Sequence, residues 1–591
     1  MNKSGFGVAL AALAISVLVT LILFLMPRAY GGVSVAQDAS AQLPSLTIEL
    51  APGPGDSPDH IDVTMTVTGY APEAGEPLLR SAVVFAGVAG VAYGEGDVAA
   101  IRARDAQGPL ELTQSVDEPD EGGFLYWRRW QASRAVEGDL TVEYRAPIEL
   151  VVPRLGAGPP FDLRSDAGSV SAAANNFLVL PDTSRPFRIE LDWDLSGMAE
   201  NSVGVSSHGE GTVNTVGPID MLIASYVMAG PVGRYRGSEE SQFSAYWVGE
   251  PPFDPDSVFP WSEEAYAYLA NYFGDETPPP FFFLARGNPY PGGGGAALIN
   301  SFMLSYAHDA EDIDGLYTTI AHEMTHNWVT TIGGAPGSTS WYNEGMTVLF
   351  TRRLMLAAGL MTPDAFLADV NDHATRYYTN ALNDLPNDEI AALFWEDTRV
   401  RSLPYDRGSM YFADVDAKVR AASNGERSIE DLLSAMNARA EAGEPINAEV
   451  WADLVAAELG EAAREDFHAM LEGNLIVIPA EGAFGPCFER VEADLRAFEL
   501  GFDPDILTAS PRIVAGLVQG SEAAQAGLRE GDEILRPVAL ESVQSNPEDT
   551  LVLAVRRGEE AFEIEYLPRA EPVEGYLWAR KPGVADERCP L

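Results

Sequence analysis

The sequence predicts three successive domains: a sandwich-like β domain, a mainly helical domain and a small C-terminal β domain. Three observations carry this. From Leu46 to about Val227 apolar and polar residues alternate in short runs separated by turn residues. From Ile313 to about Leu475 alanine-rich stretches repeat with the period of an α-helix. Past Pro486 the chain returns to short apolar runs punctuated by glycine. The 591 residues suffice for about three domains of ~100–200 residues each. The expected divisions are 1–45 (signal or anchor and linker), 46–227 (β-rich), 228–485 (helical), 486–572 (C-terminal β) and 573–591 (tail).

The first element is an apolar run from Phe6 to Met26, preceded by Lys3 and closed by Pro27-Arg28. Its length suits a bilayer span of ~20 residues and exceeds the ~7–15 of a signal core. A cleavage-like Ala39-Ser40-Ala41 follows. An uncleaved membrane anchor and a long cleaved signal both fit. Either puts the bulk of the chain outside the cytoplasm, membrane-tethered or secreted.

In the β region, His60–Val67, Leu140–Tyr144 and Phe187–Leu191 alternate strictly, as half-buried antiparallel strands do. After Met228 the character changes. Trp261–Phe273 reads as a helix, Pro278-Pro279-Pro280 breaks it, and Phe281–Leu284 reads as a buried strand before Gly292-Gly293-Gly294-Gly295. The formal net charge of -50 excludes nucleic acid and anionic membrane surfaces as docking partners, because both would repel it. Cys487 and Cys589 have no CxxC partner. In an oxidising compartment they are able to pair, fastening the chain end to the entrance of the last domain; the alternative is two free thiols.

His322-Glu323-Met324-Thr325-His326 is an H-E-x-x-H string. Two imidazoles one helical turn apart aim at one zinc ion, and the spacing works only on a helix. Asp314 is the expected N-cap and Gly333-Gly334 the expected stop, with Leu316, Ile320, Met324 and Trp328 as a packed stripe. Glu344, eighteen positions after His326 and at the head of an apolar helix, is the expected third ligand. That set leaves the fourth position to water and Glu323 as general base. His60, His208, His308, His373 and His468 lack paired spacing and are assigned no role.

H-E-x-x-H followed by W-x-x-E-G, here Trp341–Gly345, resembles the gluzincin peptidases, a group that includes aminopeptidase N and the glycyl aminopeptidases. Pro404-Tyr405-Asp406-Arg407-Gly408 resembles that group's P-Y-x-[KR]-G segment, which implies Tyr405 as donor to the tetrahedral oxyanion. Ser521–Leu528 with Gly531–Leu535 resembles a PDZ domain, with Leu500-Gly501-Phe502 as its carboxylate-binding loop beside a sheet edge. A β domain, a thermolysin-like zinc domain and a PDZ domain in that order is similar to the glycyl aminopeptidase family. The resemblance implies one zinc ion, peptide or protein substrates, and a peptide C-terminus in the PDZ groove.

One position departs from the family. Its G-G-x-E-[HN] segment, whose glutamate binds the substrate's free amine, aligns with Gly294-Gly295-Ala296-Ala297-Leu298-Ile299-Asn300. Gly294 and Gly295 match; the glutamate position is Ala297. The expected activity is peptide-bond hydrolysis without strict aminopeptidase specificity. The competing expectation is a membrane-tethered PDZ peptide-binding protein with a vestigial zinc domain.

Overall fold

The computed structural model describes residues 15–17 and 43–590, except 86–87, 97, 120–124, 149–160, 289–292, 308–313, 336, 395–396, 510, 537 and 539. The expected anchor over Phe6–Met26 therefore lies outside the described residues, apart from Ile15–Val17. These three pair in parallel with Gly293–Gly295. Among the described residues no helix is long and apolar enough to cross a membrane.

Alternation in the first domain becomes three sheets around one core. The largest has seven strands, ordered Val213–Pro218, Pro186–Trp193, Ser45–Pro52, His60–Thr68, Leu140–Pro147, Arg102–Asp105, Gly108–Leu110. Leu46, Ile48, Leu50, Val63, Met65 and Val67 point inward from neighbouring strands, and their polar neighbours face water. The sandwich is not wholly antiparallel as expected: Ser45–Pro52 and Pro186–Trp193 run in parallel, a pairing that alternation cannot reveal.

The second domain opens with a sheet. Phe281–Asn288 is its central strand, buried along its whole length. One face packs on the first domain through Leu284, Ala296 and Met303. The other packs on helices through Phe283, Ala285, Phe302 and Leu304. Gly293–Leu298 and Ser301–Ala307 form a hairpin in this sheet, turned at Asn300 in a left-handed conformation.

Nine helices of this domain are α1 (Pro255–Tyr272), α2 (Asp314–Thr325), α3 (Ser340–Ala358), α4 (Pro363–Thr379), α5 (Asn387–Leu393), α6 (Thr398–Ala422), α7 (Ile429–Glu441), α8 (Ala448–Leu459) and α9 (Glu461–Leu471). Helix α3 is buried on nearly all sides, so the others pack around it. Helices α3 and α6 touch backbone to backbone. A Cβ on Gly345 would strike the Gly408 backbone, and one on Gly408 would strike the Trp341 carbonyl. The glycines of both motif segments are thus what brings Glu344 and Tyr405 to one place.

The last 100 or so residues do not divide as expected. Phe488–Phe498 and Arg569–Arg580 pair as a long antiparallel ribbon that lies on α4. The Asn371 side chain pairs with the Trp578 backbone in both directions, at 3.0 and 2.8 Å. Cys487 and Cys589 are joined by a disulfide at the base of the ribbon. Residues 573–591 are therefore not a free tail; Trp578 and Cys589 are core residues of the helical domain. A four-stranded sheet with its own apolar core hangs between the ribbon strands.

Candidate metal centre and active site

Helix α2 buries Leu316, Ile320 and Met324, the expected stripe, against the helical core. It ends at Thr325, earlier than the expected stop at Gly333-Gly334. His326 nevertheless keeps its place one turn from His322, because its N–H still reaches the His322 carbonyl at 3.3 Å. Glu344 sits one turn inside α3 rather than at its start.

These elements converge three ligand atoms. His322 Nε2 lies 3.1 Å from Glu344 Oε2 and 3.1 Å from His326 Nε2. His326 Nε2 lies 3.5 Å from Glu344 Oε2. All three side chains are buried. Burial pushes the His322 imidazole below its ordinary value, toward the neutral, metal-binding form. Burial raises the Glu344 carboxyl, but the two histidines outweigh it and hold it down to about 2. Two imidazole nitrogens and one carboxylate oxygen are the kind of donor set that a hydrolytic zinc site uses.

Glu323 is also buried, and both its oxygens lack a hydrogen-bond partner among the described residues. A buried carboxylate left this way is costly unless a cation or donor meets it, so the centre fits a metal ion and water. Burial, and then the neighbouring Glu344 charge, push the Glu323 carboxyl well above its usual range.

Tyr405 comes from α6. Its ring lies 5.9 Å from that of His322, centroid to centroid. Burial, then the Glu344 and Glu323 carboxylates, push its hydroxyl well up, so it stays a donor. Pro404 lies inside α6 immediately before it and cannot donate to a carbonyl in the preceding turn.

The structure adds residues that spacing did not single out. Thr347 Oγ1 donates its one proton to the Asn343 carbonyl at 2.6 Å and lies 3.2 Å from His326 Nδ1. Toward His326 it must therefore accept, so Nδ1 carries the imidazole proton and Nε2 presents its lone pair to the centre. A signal existed: Thr347 is one turn from Glu344 on the same helix. Tyr226 left no such signal. It comes from the first domain, is fully buried, and donates to the Ala296 carbonyl at 2.9 Å. Burial, with the Glu323 charge, pushes its hydroxyl well up against the opposing effect of Arg286, so it stays a donor.

Gly294, Gly295 and Ala297 lie on the hairpin strand Gly293–Leu298. A side chain at Gly295 would collide with the Phe302 ring, which explains that glycine. Ala297 is buried among apolar groups. Leu500, Gly501 and Phe502 do not join the metal centre. Leu500 and Phe502 are core residues of the C-terminal unit, and the chain continues into a 3-10 turn, Pro504–Thr508. The edge strand of that unit's sheet, Arg512–Ile513, follows the turn.

The chain shares its fold with an aminopeptidase N family protein. That protein, from Idiomarina loihiensis, superposes with a TM-score of 0.59 at 16% identity, over 92% of this chain and 100% of that one. An M1 zinc metallopeptidase from Deinococcus radiodurans matches 74% of this chain and 95% of its own, with a TM-score of 0.43 at 17% identity. Yeast LTA4 hydrolase matches 73% of this chain and 68% of its own, with a TM-score of 0.43 at 13% identity. The first likeness shows the fold; the other two are too distant to add to it. No family model and no curated protein matches the chain.

Proposed function

We propose that the protein is a zinc-dependent peptidase, with His322, His326 and Glu344 as ligands of one ion and Glu323 as general base. One observation carries this: three buried ligand atoms converge beside a buried carboxylate whose oxygens are unpartnered. When bound, zinc would polarise the scissile carbonyl and make water a better nucleophile. Glu323 takes the proton from the attacking water and passes it to the leaving amine nitrogen. Tyr405 donates to the oxyanion. Thr347 holds the His326 tautomer. A substrate backbone would lie along the Gly294–Ala297 stretch in place of Ile15–Val17, which pair with Gly293–Gly295 here, and Tyr226 anchors that stretch by its bond to the Ala296 carbonyl. Ala297 offers no carboxylate for a protonated amine, so internal or N-blocked peptides are accepted.

The C-terminal unit reads as PDZ-like. Ser521 caps the helix Glu522–Gln525 and Asp532 pairs with Arg557 beyond the glycine turn, as the motif demands. The disulfide supports export, because such bridges persist in oxidising compartments. Purified protein tested on a peptide library decides the central point. Cleavage should stop on chelation and return with zinc; cleavage indifferent to chelation, or none, contradicts the proposal.

A further inference from the structure

Arg376 stands where the helical domain meets the C-terminal unit. It lies on α4. Its Nε and Nη2 donate to the two oxygens of Asp406, at 3.1 and 2.6 Å. Its Nη1 donates to Ser545 Oγ at 3.0 Å. Asp406 is fully buried, directly follows Tyr405 on α6, and lies 2.6 Å from His373 Nδ1. Ser545 ends the short helix Glu541–Ser545 of the C-terminal unit, which packs on α4. From the other side Arg569 holds that helix, donating to the Val543 and Asn546 carbonyls at 2.5 and 2.8 Å.

The junction is not tightly filled. A small cavity there is lined by Arg376, Arg399, Gln544 and Phe498, among others. The Gln544 amide is buried with neither its oxygen nor its nitrogen partnered among the described residues. A close-packed interface resists displacement, whereas one with a void and unmade hydrogen bonds gives way at lower cost.

We propose that Arg376 is a positioning residue that ties the seating of helix Glu541–Ser545 to the placement of Tyr405. The proposal rests on Tyr405 being the oxyanion donor. The guanidinium is planar, so its fork onto Asp406 holds only in one orientation. If it turns to follow Ser545, one of the two bonds to Asp406 is lost. Tyr405 and Asp406 are neighbours on one backbone, so what moves the acid moves the phenol. Pro404 makes this stretch dependent on such side-chain anchoring, because it removes a backbone hydrogen bond at that turn. The C-terminal unit would thereby tune turnover without touching the substrate.

The test is a double-mutant cycle in full-length, zinc-loaded protein, because spatial linkage alone does not demonstrate coupling. Arg376→Gln should lower kcat about 10- to 100-fold while KM changes little, the size expected for a catalytic group displaced by about an ångström. In a Tyr405→Phe background the same change should have almost no further effect on kcat. Ser545→Ala should lower kcat in the same direction by a smaller factor, again only when Tyr405 is present. Ser545 keeps the test sound if Arg376→Gln fails to fold, which zinc content and thermal unfolding report. Equal losses in both backgrounds, or wild-type kcat for Ser545→Ala, overturn the role of Arg376 alone. A wild-type chain without zinc-dependent cleavage overturns the reading of the site, and the role of Arg376 with it.

Discussion

At the scale of single residues, each group at the centre has a distinct job, and each job gives a distinct failure. In the proposed mechanism Tyr405 acts only where negative charge develops on the carbonyl oxygen. Tyr405→Phe should therefore lower kcat by about 10²–10³-fold and leave KM nearly unchanged. Steady-state kinetics on one peptide checks this; unchanged kcat would make Tyr405 a packing residue. Thr347 acts one step further out, by accepting the His326 Nδ1 proton. Thr347→Val keeps the shape and removes the acceptor. Zinc affinity, read by chelator competition, should fall about 10–100-fold, as it does when a ligand loses its outer partner. Unchanged affinity would show that the tautomer is held some other way. The convergence of His322 and His326 was legible in the sequence because helical spacing dictates which side chains share a face. The Tyr226–Ala296 and Arg376–Ser545 bonds were not, because each joins segments of different domains.

At the scale of elements, the contact of α3 with α6 sets the centre, and the proposed reading gives the Gly293–Leu298 strand the choice of substrate. The glycines that allow the helix contact were visible as motif letters, but the reason for them appears only when two backbones meet. A protonated amine buried near the centre needs a carboxylate, and an unpaired one costs several kcal/mol. Ala297 supplies none. One peptide with a free and an acetylated N-terminus should therefore be cleaved with kcat/KM values within about tenfold of each other. A preference of ~100-fold for the free amine, worth ~2.7 kcal/mol, would mean that another acid fills the role.

For the whole molecule, the chain end matters more than its sequence implied. Residues that read as a tail complete a ribbon on α4 and are locked by Cys487–Cys589, 102 positions apart. Alternation identified the strands of this region but not their pairing, because the partners are separated by the entire C-terminal unit. Cross-linking so long a loop restricts the unfolded chain and is worth ~2–4 kcal/mol. Replacing both cysteines by serine should lower the denaturant midpoint accordingly, and a non-reduced digest of the native protein should yield the two peptides linked. An unchanged midpoint would show that the ribbon is held by packing alone.

Ligands and base divide the labour at the proposed centre. The most direct measurement of this division is the zinc content and peptidase activity of Glu323→Gln, side by side with His326→Ala. In the proposed mechanism Glu323 meets the reacting water and is not a ligand of the ion. Glu323→Gln should keep one zinc per chain and lose hydrolysis, whereas His326→Ala should lose the metal. A Glu323→Gln chain that either loses its zinc or cleaves peptides at the wild-type rate would contradict the assignment.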